Sequence, residues 1–362
     1  MDMPKLQYEA VITVPPLKIT VPRRVRRVLV SDPNIDAGKL RGCYQVVMYY
    51  ENVNEEEGFG WVLAGWIVES LGIALSENPM LAGRLQKKAD QGEGGDTEME
   101  IVSNDCGIRM AEARISIALS DFLESSDRHN LEHDLVFWKD IDEQSPEFSP
   151  LFYVQVTNFK CGGYSIGISC SLLLADFLVV DNFLKKWADI HKNEALRNGE
   201  TKTPLFYHPR LKNPEVPPPN IIRRTPYKNG GQSLLFKITS EDSEFERESA
   251  RLCVQEAEKR LQRKMGSKFS LFVKERSEAM KAETCAYNRQ ALGRGLKNQM
   301  TSTTWDEFGA YDISFHEEKK PVHVSRWIGS ASEGNVVAVK YPKEGVSAVI
   351  VVTLAAENGI LN

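Results

Sequence analysis

The sequence predicts an α/β fold in two domains, and three observations carry that expectation. Short runs rich in β-branched and aromatic residues alternate with longer stretches of helical periodicity. A segment crowded with proline interrupts the pattern past the middle of the chain, and 362 residues suffice for two cores. With 42% hydrophobic and 26% charged residues, the composition is that of a folded globular chain.

Three extended segments come first, YEAVITV, RRVLVS and YQVVMYYE, separated by Pro, Asp and Gly. In GFGWVLAGWIVESLGIALSEN, the residues Val62, Trp66, Leu71 and Ala74 recur at helical spacing beside Trp61, Leu63 and Ile67, and Asn78-Pro79 ends the helix. Its apolar stripe is expected to face a sheet. QGEGGDTEMEIVSND reads as a glycine loop entering a strand, and RMAEARISIALSDFLES as a strand followed by a short helix from near Ser120. LFYVQVTNF and YSIGISCSLL read as paired strands joined through KCGG. The helix VVDNFLKKWADIHKNEAL then sets Phe183, Leu184, Trp187 and Ile190 against Lys185, Lys186 and Asp189 on the other face.

Residues 199–232 are too rich in proline and polar residues for a regular element and form the expected linker between domains 1–198 and 233–362. The second half opens on the strand SLLFKITSE. A long polar helix follows, in which Ser243 and Glu246 offer a capping box and Phe245, Leu252 and Leu261 stand among charges. FVKERSEAMKAETCAYNRQALGRGLKNQM reads as a further helix, and NVVAVKYP and SAVIVVTLA as a closing strand pair joined through KEG.

The formal net charge of −5 argues against a nucleic-acid partner. The dense basic stretch PRRVRRVLV places Arg23, Arg24, Arg26 and Arg27 beside Val25, Val28 and Val30. It reads as a strand with solvated arginines, the alternative being a site for an acidic lipid or phosphate group. The N-terminus lacks the apolar core of a secretory signal, and no apolar run is long enough to span a bilayer. Six scattered cysteines without a CxxC pair read as reduced thiols, which predicts a cytoplasmic protein, and a monomer is expected.

The order ENPMLAGRL, FKCGGYSIGIS, Asp176 and NFLKKWADI resembles the plant BAHD acyltransferases, which transfer acyl groups from coenzyme A thioesters. Phe183, Trp187 and Ala188 match the family's FxxxWA helix, and TWDEFGAYDISFHEEKKPVHV is similar to the segment carrying its DFGWG motif. The resemblance implies a coenzyme A-dependent acyltransferase-like fold: two domains, each a mixed sheet with flanking helices, and a channel between them with residue 172 midway along it. It also implies a shortened second domain, the missing portion falling between helices near Lys281 and Thr301.

Both motifs depart from the family. The histidine of HxxxD, which takes the acceptor's proton, is Leu172, the residue before it is Ser171, and the glycine after the aspartate is Phe177. A positioned general base contributes about 10²- to 10⁴-fold in rate, and leucine supplies none of it. Ser314, Phe315, His316, Glu317 and Glu318 occupy the place of DFGWG, so that only the phenylalanine survives. The resemblance gives Asp176 an architectural role through pairing with an arginine, for which Arg326 is the candidate, and gives Ser314, Phe315 and Trp187 structural roles. Cys170, Ser171 and His316 are the substitute candidates for the base. His129 and His133 read as an exposed helix face and His316 and His323 as solvated loop residues, and no metal signature is present.

Two functions follow from the resemblance. In the first, the chain binds without ordinary transfer, in an accessory role in acyl, lipid or specialised metabolism. Its analogues are the eceriferum proteins of wax synthesis, which work through a protein partner at the endoplasmic reticulum. In the second, it is an active O- or N-acyltransferase, or a repurposed lyase, using substrate-assisted proton transfer. Neither reading assigns a resident cofactor, and acyl-CoA is the co-substrate or ligand.

Overall fold

The computed structural model describes residues 5–30, 37–51, 61–88, 99–198, 232–239, 246–274, 279–287, 299–316, 319–329, 334–343 and 345–354. Fifteen strands among them form two sheets. The strands are β1 (Leu6–Val14), β2 (Val25–Val30), β3 (Cys43–Tyr50), β4 (Arg84–Lys87), β5 (Met99–Val102), β6 (Ile108–Ile115), β7 (Phe152–Phe159) and β8 (Tyr164–Ser171) in the first half. The second half supplies β9 (Ser233–Ile238), β10 (Lys268–Lys274), β11 (Met280–Ala286), β12 (Met300–Thr303), β13 (His323–Gly329), β14 (Asn335–Lys343) and β15 (Val346–Thr353). The helices are α1 (Ala37–Arg41), α2 (Trp61–Glu77), α3 (Leu119–Glu124), α4 (Arg128–Glu132), α5 (Phe177–Asn198) and α6 (Glu246–Leu261).

The six-stranded sheet runs β1-β6-β7-β8-β3-β13 and the nine-stranded sheet β12-β9-β15-β14-β10-β11-β2-β5-β4. Both are mixed: β6 and β7 pair in parallel in the first, β10 with β14 and β11 with β2 in the second. The sheets do not coincide with the halves of the chain. β2, β4 and β5 join the nine-stranded sheet, and β13 returns to pair with β3, so that His323 lies opposite Tyr49. The proline-rich linker and Ser243 of the expected capping box lie outside the described residues.

One apolar core takes in residues of both sheets and of α2 and α5. Tyr44, Val46 and Met48 of β3 and Ile166 and Ile168 of β8 belong to it, with Val337 and Val339 of β14 and Val349 and Val351 of β15. The alternate residues of β14 and β15, Val336, Ala338, Ile350 and Val352, face the other way and meet Ala250, Cys253, Val254 and Ala257 of α6. A third cluster, with Leu119, Phe122, Leu131 and Leu135, covers the outer face of β3 through Val47 and Tyr49. Helix α2 buries Ile67, Leu71, Ala74 and Leu75 in the main core and packs along α5.

The helix expected across FVKERSEAMKAETCAYNRQ is instead the antiparallel pair β10 and β11, with Phe269 opposite Cys285. Lysines bound the apolar run FSLFV, which is buried on both faces as a central strand. In β11, Glu283 is buried, and Arg247 of α6 grips both its oxygens at 2.7 and 2.6 Å. The charges that suggested a solvated helix are thus partly spent on a contact between elements. His129 is exposed as expected, whereas His133 is buried with its ring 5.1 Å from that of Trp327, because the chain tightens into a 3-10 turn after α4.

Gly167, in the middle of β8, admits the backbone of the segment after α4. A Cβ there would stand 2.0 Å from the carbonyl oxygen of Leu135. Because backbone must move to accommodate it, Gly167→Ala is expected to cost about 3 kcal/mol, read as a lower urea midpoint with an unchanged slope.

Candidate active site

The turn 172–176 between β8 and α5 is held by its own backbone. Leu172 N donates to Gly42 O at 3.0 Å, and Leu174 N and Ala175 N donate to Ser171 O at 2.9 and 3.2 Å. Arg26 of β2 reaches from the other sheet and donates to the carbonyls of Leu174 and Leu173. The position where the family carries its base therefore lies where the two sheets touch.

Leu172 is 1% exposed in the main core. A Cβ on Gly42 would meet Leu172 Cδ1 at 3.0 Å and the Phe272 ring at 3.1 Å, so side chains of both sheets close on this point. Phe177 is as deeply buried, its ring centroid 6.3 Å from that of Tyr44, 5.4 Å from Trp305 and 5.2 Å from Phe308. Around residues 172 to 177 the packing is apolar and dense.

The three substitute residues are dispersed by burial and distance. Cys170 is fully buried, and burial pushes its thiol far above the usual range, so it stays protonated and donates to Ser171 O at 3.5 Å. Ser171 is buried too, and its Oγ accepts from Leu173 N at 3.3 Å. His316 stands with Tyr164, ring centroids 6.2 Å apart, at the opposite end of β8. At about 3.3 Å per residue, that is about 23 Å along the strand from Ser171. It is half-buried, not a solvated loop residue. Glu317 and Glu318 lie outside the described residues.

Asp176 caps α5. Its Oδ1 accepts from Val179 N at 3.0 Å while its carbonyl accepts from Val180 N at 3.1 Å, the geometry that satisfies a free N–H of the first turn. The expected pairing of Asp176 with Arg326 is not found. Arg326 Nη1 binds Asp181 Oδ2 at 2.9 Å, one turn further into the helix. Both side chains are buried, Tyr44 Oη lies 3.5 Å from the other Asp181 oxygen, and the guanidinium lies over the Trp305 ring. Burial pushes the Asp181 carboxyl up, against the pull of Arg326. Choosing between carboxylates at 176 and 181 depends on where β13 lands on β3, which no local pattern specifies.

What survives of the second motif packs on α5. Phe315 is 1% exposed, with its ring centroid 4.8 Å from Trp187 and 5.6 Å from His191. Ser314 Oγ closes the loop by donating to the carbonyls of His316 and Lys319. Sequence reading missed the polar knot beneath: Trp187 Nε1 donates to Ser70 Oγ at 3.0 Å, and the same oxygen lies 3.0 Å from His191 Nδ1. Burial first, then His316, depresses His191 to about 3. The spacing of Trp187 and His191, one helical turn, was the available signal. Among the described residues no group of three His, Cys, Asp or Glu side chains is placed to hold a metal.

Two stability measurements separate these roles. Arg326→Ala leaves the buried Asp181 carboxylate without its cation and is expected to cost about 3–5 kcal/mol in urea unfolding. Asp176→Ala loses one helix cap, about 1 kcal/mol. The second test is pH. A histidine held near 3 when folded and near 6.5 when unfolded contributes stability that is fully present above about 6.5 and is lost as pH falls toward 3. His133, depressed to about 4 by burial and His129, adds to the same slope. Between pH 6.5 and 5, His191→Gln is expected to lose about 2 kcal/mol less than the native chain.

Comparison with known proteins bears on this geometry. The Transferase family model matches residues 45–270. Protein ECERIFERUM 26 of Arabidopsis thaliana is 32% identical over 124 residues, 34% of this chain and 28% of that protein. Protein ECERIFERUM 2 of the same plant is 36% identical over 83 residues, 23% of this chain and 20% of that one. The hydroxycinnamoyl-CoA:piscidic acid hydroxycinnamoyltransferase of Actaea racemosa is 35% identical over 128 residues, 34% of this chain and 26% of that one. The chain thus spans 20–28% of the length of these relatives. The solved structure of vinorine synthase superposes with a TM-score of 0.52 at 15% identity, over 98% of this chain and 95% of that one, which shows the fold. By its family-model match and its fold, this chain belongs to the Transferase family, that of the plant BAHD acyltransferases.

Proposed function

We propose that this chain is a binding member of the family that does not carry out ordinary acyl transfer, with an accessory role in acyl or lipid metabolism. The observation behind this reading is the state of residue 172. A leucine stands in the place of the base, and Gly42, Phe272 and the core of both sheets close on it. Arg326 is committed to Asp181, and Cys170 is a buried neutral thiol, so neither supplies a proton acceptor there. Similarity to the two ECERIFERUM proteins fits an accessory role in wax metabolism, exercised through acyl-CoA binding or a protein partner.

The test is release of free coenzyme A by the purified chain over a panel of acyl-CoA donors with hydroxyl and amine acceptors, run beside Leu172→His. No release above background is expected from either protein. In the variant, an imidazole placed in the apolar seam without a partner is expected to lower stability by about 1–3 kcal/mol. Turnover by the native sequence would overturn the proposal and favour the active reading with substrate-assisted proton transfer. Turnover by the histidine variant alone would show that this site admits both substrates and lacks only its base.

A further inference from the structure

Large hydrophobic side chains that stand exposed are few, and they are unevenly placed. Among the described residues they are Leu17 (46%), Ile19 (86%), Val21 (84%), Val25 (55%), Phe148 (79%) and Val322 (44%). Four of the six fall between Leu17 and Val25, on the connection from β1 to β2 and the first residue of β2. Lys18, Arg23, Arg24 and Arg27 accompany them, all exposed, and none makes an ion pair among the described residues. A concentration of aliphatic surface of this kind marks an interaction site.

The connection is not a loose loop. Leu17 N donates to Gly72 O at 3.1 Å and Lys18 N to Ser76 Oγ at 3.0 Å, both at the C-terminal end of α2. Thr20 donates through N and Oγ1 to the two carboxylate oxygens of Asp105, at 2.8 and 2.6 Å. Arg24 N donates to Ser103 Oγ at 2.7 Å, and its carbonyl accepts from Ser103 N at 2.9 Å. Backbone groups are thus tied down while Ile19 and Val21 project into water. Asp105 is engaged by Thr20, and Glu100, which the register sets opposite Arg27, accepts from Gln86 Nε2 at 2.7 Å.

We propose that the segment from Leu17 to Arg27 docks the protein on the surface of an anionic lipid bilayer, with Ile19 and Val21 entering the interface and Arg23, Arg24 and Arg27 among the phosphates. Charge selects this occupant. The chain carries a net charge of −5, yet this segment presents four cations without an ion pair among the described residues, so it meets an anionic surface while the remainder is repelled. Chemistry agrees with charge, because the apolar residues are short aliphatics on a bent connecting segment. They need a soft apolar medium and no shaped pocket. The inference is independent of the function proposed above and gives the protein its own contact with a membrane.

The experiment is flotation of the full chain with phosphatidylcholine vesicles, with and without phosphatidylserine, at low and physiological ionic strength. Binding is expected on the anionic vesicles, weakening with salt. Ile19→Asp with Val21→Asp should abolish it, and each of Arg23→Gln, Arg24→Gln and Arg27→Gln should weaken partitioning about fivefold. These side chains are exposed, so the urea midpoint should not move. Absence of binding by the native chain would overturn the proposal, as would binding that survives the aspartate pair. Sedimentation showing a native dimer that the aspartate pair converts to monomer would overturn it in favour of a second copy of this chain.

Discussion

One apolar seam takes in the inner faces of both sheets together with helices α2 and α5, and every other feature accommodates that burial. Val46, Ile166 and Ile168 of the first sheet and Val337, Val339, Val349 and Val351 of the second belong to it, and Phe152 of β7 sets its ring 5.6 Å from Phe183 of α5. Each such side chain contributes about 1.5–3 kcal/mol when fully buried. Leu172 sits on the line where the faces approach, with Gly42 small enough to admit both it and Phe272. A leucine there extends the seam. A histidine would interrupt it with a polar ring that needs a hydrogen-bond partner once buried.

Buried polar groups stand where elements from distant parts of the chain cross. Arg326 ties β13 to α5 through Asp181, Arg247 ties α6 to β11 through Glu283, and Ser70 ties α2 to α5 through Trp187 and His191. Each pair costs desolvation, so none is chiefly a source of stability. Their effect is on register: with the pairing satisfied, a slip of β13 against β3 would strand both a guanidinium and a carboxylate in the core. Arg26 acts similarly at the turn after β8, where it holds carbonyls of one sheet from a strand of the other.

Much of this fold was legible in the sequence, because alternation and helical periodicity are local signals. Strands β1 to β3, β7 and β8 and the helices α2 and α5 follow from them directly, while the loss of the histidine at 172 was visible only through the resemblance to the family's motif. Strands β10 and β11 did not, since Lys281, Glu283 and the charges around them mimic a solvated helix until Arg247 is known to bind Glu283. Arg326 and the carboxylate it would pair with were visible individually, but their partnership is set by a strand pairing between the two halves of the chain. Likewise, Ser70 and His191 belong to different helices, and only packing makes them neighbours. Non-local choices of this kind leave no periodic trace.

The return of β13 to the first sheet has a consequence for the order of assembly. On the ribosome, β3 can pair with β8 once residues through Ser171 have emerged, whereas the open edge of β3 waits until residues through Gly329 have been made. β2 waits in the same way for β11, and until then both strands expose unpaired backbone of the kind that recruits other chains. Synthesis therefore runs ahead of folding in this molecule. A fragment ending before β13 would keep an unfinished sheet, and the cell must shield that edge during the interval.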